Sequence, residues 1–314
     1  MRMTLSIVAV ITAVFLCAAI TAGAFPFMAD DAARPGEAIQ LDGYRVTIEY
    51  EQRNEKVARY VAEICSRVLP VLSGQLGLDT VSAMQIIIVP KMRMYATPGG
   101  PDFPDWGAAF AFMERQVMVV DVEKAVRTWD SLDKTIAHEL SHLLLAQKVG
   151  PVPMPAWFLE GLAQWQAGQH SMLDSWHLMN AVWSGSAPTL MQITISFPRE
   201  EESARNAYRI SQAAFLQLFS NGHPLPGSLP LFLEEIAARG EFDAALVAFR
   251  GENLHQFSAR FMDELAHKYT SHLLLFQEGP LFSILAVLFI FMIVSVRIRS
   301  RRRMKRLELE ERGL

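Results

Sequence analysis

The stretch TIAHELSHLLLAQ, residues 135–147, constrains the fold more than any other part of this chain. It predicts an amphipathic helix, because its apolar residues recur every three or four positions. His138 and His142 are four positions apart on that helix, so both imidazoles face one side, about 6 Å apart along the axis. The two histidines could bind one metal ion, although a pair of histidines on a solvated helical face would show the same spacing.

Glu139 follows the first histidine and points about 100° round the helix from it. From there its carboxylate could reach a water on the metal without ligating the metal beside the histidines. Zinc in a buried cleft lowers the pKa of such a water to about 7, and a carboxylate can then take the proton as general base. The pattern HExxH therefore predicts a hydrolytic zinc site.

The third ligand decides which class of zinc site this is. A metzincin would continue with glycine and histidine at the positions held here by Leu145 and Lys148, so that class is excluded. A glutamate on a following helix is the other solution, and Glu160 stands 18 positions after His142 in PAWFLEGLAQW. Gly161 beside it is expected to let this second helix pack closely against the first.

HELSH followed by WFLEGLAQW resembles the gluzincin zinc peptidases, and most closely the peptidase MA-like group. The matching residues of the second helix are Trp157, Glu160, Gly161, Ala163 and Trp165. The resemblance covers about residues 44–220. It implies Zn²⁺ bound by His138, His142 and Glu160, a peptide or protein substrate, and Glu139 as the catalytic base and acid.

The same resemblance suggests roles for residues outside the two helices. Tyr208 lies where gluzincins often place a tyrosine that stabilises the oxyanion, for which an uncharged donor is suited. Packing beside Phe215 on one helical face is the alternative. Thermolysin-like enzymes have an aspartate where this chain has Gln164, so another residue must orient a histidine ligand.

A weaker resemblance concerns AFMER, residues 111–115. It partly matches the strand with which gluzincin aminopeptidases hold the amino terminus of the substrate, and it would give Glu114 that role. Two of its positions, Ala111 and Arg115, depart from the pattern. A simple hairpin turn at Glu114 is the other interpretation.

The remaining patterns predict an α+β fold. Alternating residues over 44–51 and an apolar run over 84–90 predict strands, with a helix between them. A hairpin then precedes the HELSH helix, and the chain is predicted to be helical after Trp157. The expected architecture is a gluzincin-like domain of a small mixed sheet, the HExxH helix and a helical subdomain. The second hairpin strand, about 116–122, is expected at the sheet edge, where an extended peptide can pair with it.

The two ends predict membrane attachment. Residues 1–24 combine one arginine, an apolar run and the small residues TAGA, as in a signal peptide or an uncleaved signal anchor. Residues 281–298 form an 18-residue apolar segment with one charge, long enough for a transmembrane helix. The basic tail at 299–314 predicts a cytoplasmic C-terminus. Residues 25–278 would then form an extracytoplasmic domain of a single-pass protein, or of a two-pass protein if the signal remains.

The net charge of that domain limits the kinds of partner that it is expected to bind. Residues 297–314 hold eight Lys/Arg and three Asp/Glu, which leaves 20 basic and 30 acidic side chains between 25 and 296. So acidic a domain argues against nucleic acid as a partner. The sequence therefore predicts a membrane-anchored zinc metallopeptidase, with an endopeptidase favoured. Two alternatives stay open: a non-catalytic zinc-containing binding or scaffold module at the membrane surface, and an aminopeptidase that uses Glu114.

Overall fold

A computed structural model of the protein describes residues 37–91, 107–128, 131–169, 172–198, 200–220, 222–277 and 280–311. The predicted signal segment at 1–24 lies outside the described residues. The chain divides into two compact units, Met1–Phe261 and Met262–Leu314. The first unit contains all five described strands and the HELSH helix.

One five-stranded mixed sheet forms in the first unit. Its strands are β1 (Glu37–Gln40), β2 (Val46–Tyr50), β3 (Met84–Val89), β4 (Ala109–Phe112) and β5 (Val117–Asp121), in the order β1-β2-β3-β5-β4. The central strands β2, β3 and β5 are parallel, while β1 and β4 are antiparallel to their neighbours. In register, Ile48 pairs with Ile86, which in turn pairs with Met118.

The sequence patterns explain where the strands lie. Val46, Ile48 and Tyr50 of β2 alternate and are buried. β3 is apolar nearly throughout, which confirms the strand predicted from its apolar run, and it lies at the centre of the sheet between β2 and β5. A parallel pair needs a crossover connection, and the helix between β2 and β3 supplies it.

The edge of the sheet differs from the prediction. The segment 116–122 was expected to be an edge strand, but β5 lies inside the sheet between β3 and β4. All five residues of β5 are buried, as is typical of a strand inside a sheet that is covered on its faces. The two outer strands of the sheet are β1 and β4, so within the hairpin a peptide could pair with Ala109–Phe112 and not with β5.

Helices make up the rest of the described chain. They are α1 (Glu55–Leu76), α2 (Val122–Arg127), α3 (Leu132–Val149), α4 (Ala156–Gln166), α5 (Met172–Ser184), α6 (Leu190–Ile195), α7 (Glu201–Leu218), α8 (Ser228–Arg239), α9 (Phe242–Arg250), α10 (Leu254–Gln277) and α11 (Pro280–Glu311). α1 and α3 pack against each other and against the sheet, and α4 packs mainly on α7. The fold is α+β, as predicted.

Aromatic packing fixes α4 in the helical part of the first unit. Trp157 is fully buried and stacks on Phe257, with ring centroids 5.5 Å apart. The neighbouring Phe158 ring lies 5.1 Å from Phe242 and 5.7 Å from both Phe215 and Phe232. Burial of such rings contributes much of the energy of a core, so the orientation of α4 is well determined.

The second unit contains α11, where the membrane span 281–298 was predicted. The side chains described in α11 are those of 283–297 and Arg299, and the large apolar ones from Ile284 to Val296 are exposed. Among the described residues, no helix is both long enough and apolar enough to cross a membrane. The transmembrane helix stays a prediction.

Candidate metal centre

Two helices bring three candidate ligands together. α3 presents His138 and His142, whose ring centroids are 4.9 Å apart, and α4 presents Glu160. Glu160 Oε2 lies 3.1 Å from His138 Nε2, and its Oε1 lies 3.8 Å from His142 Nε2. One donor atom from each residue lies within 4.8 Å of the other two. Both histidines are buried, as expected for a helix packed on a sheet.

This donor set suits a metal ion. Metal–ligand bonds of about 2.0–2.2 Å place tetrahedral ligand atoms roughly 3.4 Å apart. The three donor atoms approach that spacing, so small side-chain movements would close them round an ion. Two imidazoles and a carboxylate leave further coordination positions for water or substrate.

Gly161 explains how α4 can lie where Glu160 reaches the histidines. A Cβ at Gly161 would be 2.5 Å from the carbonyl oxygen of Ser211 and 2.6 Å from Cβ of Phe215, both on α7. Only glycine permits this approach. The glycine was expected to accommodate the first helix, but the close contact is with α7. Of the remaining motif residues, Trp157 and Ala163 are buried in the core, and Trp165 is half-buried beside Phe215.

Gln169 is a site residue that the sequence did not reveal. His138 Nδ1 and Gln169 Oε1 are 3.1 Å apart, and the amide nitrogen of Gln169 donates to the Lys134 carbonyl. This pairing orients the His138 ring so that Nε2 faces Glu160. Gly168 makes it possible, since its left-handed φ of 61° turns the chain back after α4. Sequence spacing gives no signal for such a contact, because Gln169 is 31 residues from His138.

Gln164 and the second histidine complete the surroundings of the ligands. The Gln164 amide donates to the carbonyls of Glu160 and Tyr208, and so ties α4 to α7. His142 Nδ1 is buried and has no hydrogen-bond partner among the described residues. Among the described residues, a neighbouring side chain therefore orients His138 but not His142.

Glu139 lies between the ligands and the edge strand. The register of β4 against β5 turns the main-chain groups of Ala109 and Ala111 away from β5, toward the side of β4 that pairs with no described strand. The Ala111 N–H donates to the Glu139 carboxylate. The general-base candidate thus contacts the same edge that an extended peptide could use.

These groups line a cavity of about 480 Å³. Its wall includes the three ligands, Glu139, the edge residues Ala109–Ala111 and, from α7, Tyr208. The Tyr208 ring lies 6.3 Å from the His138 ring and 4.8 Å from Phe197. Phe215 instead packs with Phe158, Trp165 and Phe219. Tyr208 therefore faces the candidate centre.

Glu114 lies apart from this cavity. It occupies the short 3-10 turn Met113–Arg115 between β4 and β5, and its side chain is exposed. The hairpin turn predicted near Glu114 is confirmed. Among the described residues that line the cavity, Met113 is present and Glu114 is absent.

Burial and charge set the protonation of the site. Burial raises the pKa of Glu139 to about 7, despite the opposing charge of His138. Burial lowers the pKa of His142 to about 4. Burial also disfavours the charged form of His138. The hydrogen bond and negative charge of Glu160 outweigh this effect and raise the pKa of His138 to about 9. Burial raises the pKa of Tyr208, which stays a neutral hydrogen-bond donor.

The site can therefore hold a metal ion beside a buried carboxylate whose pKa is near neutrality. All of the predicted site residues, His138, Glu139, His142, Glu160 and Tyr208, line one cavity. In comparisons with known proteins, no family model and no curated sequence matches the chain. The case for a function rests on the geometry of the site.

Proposed function

We propose that the protein is a zinc-dependent metallopeptidase of the gluzincin kind. The observation that carries the proposal is the convergence of His138, His142 and Glu160 on one cavity, with Glu139 between them and the outer strand β4. A set of two imidazoles and one carboxylate is the ligand set of thermolysin-type catalytic zinc sites. Borderline ligands of this kind favour zinc over magnesium or calcium, which prefer oxygen ligands alone.

The residues of the chain have separate tasks in peptide hydrolysis. Zinc, when bound, supplies Lewis acidity that polarises the scissile carbonyl and activates water. Glu139 takes a proton from the attacking water and returns it to the leaving amine as the C–N bond breaks. Burial raises the pKa of Glu139 in the absence of a metal ion, and a carboxyl group that both accepts and donates a proton works best with a pKa near the working pH.

Two further elements would position the substrate. The outward N–H and C=O groups of Ala109 and Ala111 can pair with an extended peptide, which would add a strand to β4. The Ala111 N–H now bonds Glu139, so substrate would compete for this donor. Tyr208 can donate a neutral hydrogen bond to the oxyanion from the α7 side.

We further propose that this domain is held at a membrane. Residues 281–298 and the basic tail support a C-terminal anchor, and residues 1–24 support export. The exposed apolar side chains of α11 are the kind of surface that lipid would cover. Substrates at or near the membrane surface would then be favoured.

The test uses the full chain purified in detergent and loaded with zinc. Metal content is measured by mass spectrometry, and cleavage is measured with a library of internally quenched peptides. Glu139→Gln is expected to keep one zinc and lose about 10²- to 10⁴-fold in kcat, because the general base is gone. Glu114→Gln, an exposed glutamate of the neighbouring turn, is the matched control and should keep full activity.

The outcomes separate the alternatives. Full cleavage by Glu139→Gln, or no stoichiometric zinc in the wild type, contradicts the proposal. Zinc binding without cleavage by either protein would favour the binding or scaffold module. Loss of activity in Glu114→Gln with amino-terminal trimming of the peptides would favour the aminopeptidase.

A further inference from the structure

Three hydroxyl side chains form one wall of the cavity that contains the candidate centre. They are Thr128, Ser131 and Thr135, at the beginning of α3 and just before it. Ser131 and Thr135 are seven and three positions before His138, so they continue the face of the helix that carries this ligand. At a rise of about 1.5 Å per residue, they lie roughly 10 Å and 5 Å from it along the helix axis. The wall therefore begins beside the metal ligands and extends away from them.

Each of these hydroxyl groups uses its proton on the main chain. Thr135 donates to the Ser131 carbonyl at 3.3 Å, and Ser131 donates to the Thr128 carbonyl at 3.1 Å. Thr128 in turn donates to the carbonyl of Lys124 at 3.0 Å. A hydroxyl group has one proton to donate and two lone pairs that accept. With their protons used, the three oxygens offer hydrogen-bond acceptors to the cavity.

A substrate side chain beside the scissile bond could reach this wall. The edge residues Ala109–Ala111 line the same cavity, so a peptide paired with β4 would have its reacting carbonyl at the metal and the wall within reach. A glutamine side chain spans about 5 Å from Cα to its amide nitrogen. This length is close to the separation of His138 and Thr135 along the helix axis.

The chemistry of the wall distinguishes an amide from a carboxylate. An amide N–H can donate to the hydroxyl oxygens while they keep their main-chain bonds. A carboxylate only accepts, so each hydroxyl would have to release its carbonyl before binding it. A carboxylate would also add negative charge near Glu139 and near Asp133 in the first turn of α3. Arg205 and Arg209 line the cavity too, but they belong to α7 and not to this wall.

We propose that Ser131 and Thr135 form a subsite that selects an amide side chain, glutamine or asparagine, in the substrate residue beside the scissile bond. The inference rests on the proposed peptidase function and adds a substrate class to it. Thr135 should contribute more than Ser131, because Thr135 is half-buried and nearer to His138, whereas Ser131 is exposed.

The test measures binding separately from cleavage. Fluorescent decapeptides on an alanine background carry a single glutamine, glutamate or methionine, three side chains of similar length, moved along the sequence. Their Kd values are measured with zinc-loaded, full-length Glu139→Gln protein in detergent. At one position, glutamine should bind about three- to tenfold more tightly than methionine, and about tenfold more tightly than glutamate.

Variants of the wall identify the groups responsible. Adding Thr135→Val, which removes the hydroxyl and keeps the shape, should abolish most of the preference for glutamine, and Ser131→Ala a smaller part. Thr135→Ser keeps a hydroxyl and should keep the preference. Zinc content and melting temperature show whether each variant is folded, and Thr135→Ala replaces the valine variant if that one is not.

Thr194→Val is the matched control. Thr194 is also half-buried and donates to the carbonyl four positions before it, that of Leu190 on α6, at 2.9 Å, but it does not line the cavity. This variant should keep the preference. Equal Kd values for glutamine and methionine at every position, tighter binding of glutamate, or no measurable binding would overturn the inference. So would a preference that survives loss of both hydroxyl groups.

Failure of the proposed function is seen in a different measurement. If the wild type binds glutamine peptides selectively but cleaves none of them, the amide subsite stands and the peptidase proposal fails. If the wild type cleaves glutamine, glutamate and methionine peptides with equal kcat/KM and binds them equally, the peptidase proposal stands and this inference fails.

Discussion

Among single residues, Gln169 illustrates how much the candidate centre depends on a side chain outside the motif. It accepts from His138 Nδ1 at 3.1 Å and is held in turn by its own amide contact with Lys134. A histidine whose second nitrogen is fixed is a better-oriented and more basic ligand. The chain thus uses an amide here, although Gln164 occupies the position where thermolysin-like enzymes have an aspartate.

Removing this contact is expected to weaken metal binding. Gln169→Leu should reduce zinc affinity by about 10- to 100-fold, measured by competition with a chromophoric chelator, while Gln169→Glu keeps an acceptor and should retain most of it. Gln166→Leu is the matched control, because Gln166 bonds Leu72 and Gln75 of α1 instead of a ligand. Equal zinc affinity in wild type and Gln169→Leu would show that the contact does not orient His138.

Tyr208 can be tested at the same scale. Tyr208→Phe removes the hydroxyl and keeps the ring beside Phe197. If the phenol donates to the oxyanion, kcat should fall by about 10²- to 10³-fold, with little change in KM, zinc content or melting temperature. Unchanged kcat would assign Tyr208 to packing alone.

At the level of elements, α4 and β4 determine the site, and each corrects a sequence expectation. Gly161 accommodates α7 and not α3, since the buried rings of Trp157 and Phe158 fix how α4 is rotated. In the hairpin, β4 and not β5 is the outer strand of the described sheet, because β5 is paired on both sides. Local patterns correctly placed the turn near Glu114, but they could not show which hairpin strand would meet β3.

Because α4 and α7 approach closely at Gly161, replacing this glycine with alanine should destabilise the protein, whereas the same change at an uncrowded glycine should stabilise it. Gly161→Ala should lower the free energy of unfolding by about 1–3 kcal/mol through overpacking against Ser211 and Phe215. Gly74→Ala is the matched control: a Cβ at this helical glycine meets nothing within 4 Å, so alanine should raise stability by about 0.5–1 kcal/mol. Thermal unfolding of the full chain in detergent with a metal chelator measures both. Equal melting temperatures for the two variants would contradict the tight contact.

For the whole molecule, the testable property is its placement across a membrane. A fluorescent protein that matures in the cytoplasm, fused after Leu314, should fluoresce, whereas a phosphatase active only outside the cytoplasm should be inactive there. The reason is the basic cluster at 299–306, which the positive-inside rule retains in the cytoplasm. Replacing its arginines and lysines with glutamine should weaken this preference. An active phosphatase fusion on the unaltered chain would contradict the proposed topology.

The sequence by itself determined the features that depend on local spacing. Helical periodicity placed His138 and His142 on one side of α3, alternation identified β2, and an apolar run identified β3. The α+β class followed from the order of these elements. Such features need only neighbours within a few residues, so they can be inferred without knowing how the chain folds back.

Only the tertiary structure decided what lies opposite those elements. It brought Glu160 and Gln169 to the candidate centre, and it placed β4 instead of β5 at the outer side of the hairpin. These outcomes depend on how buried rings orient α4 and on which strands pair, contacts that join residues far apart in sequence. Because such packing is decided by the whole core at once, no local pattern in the chain records it.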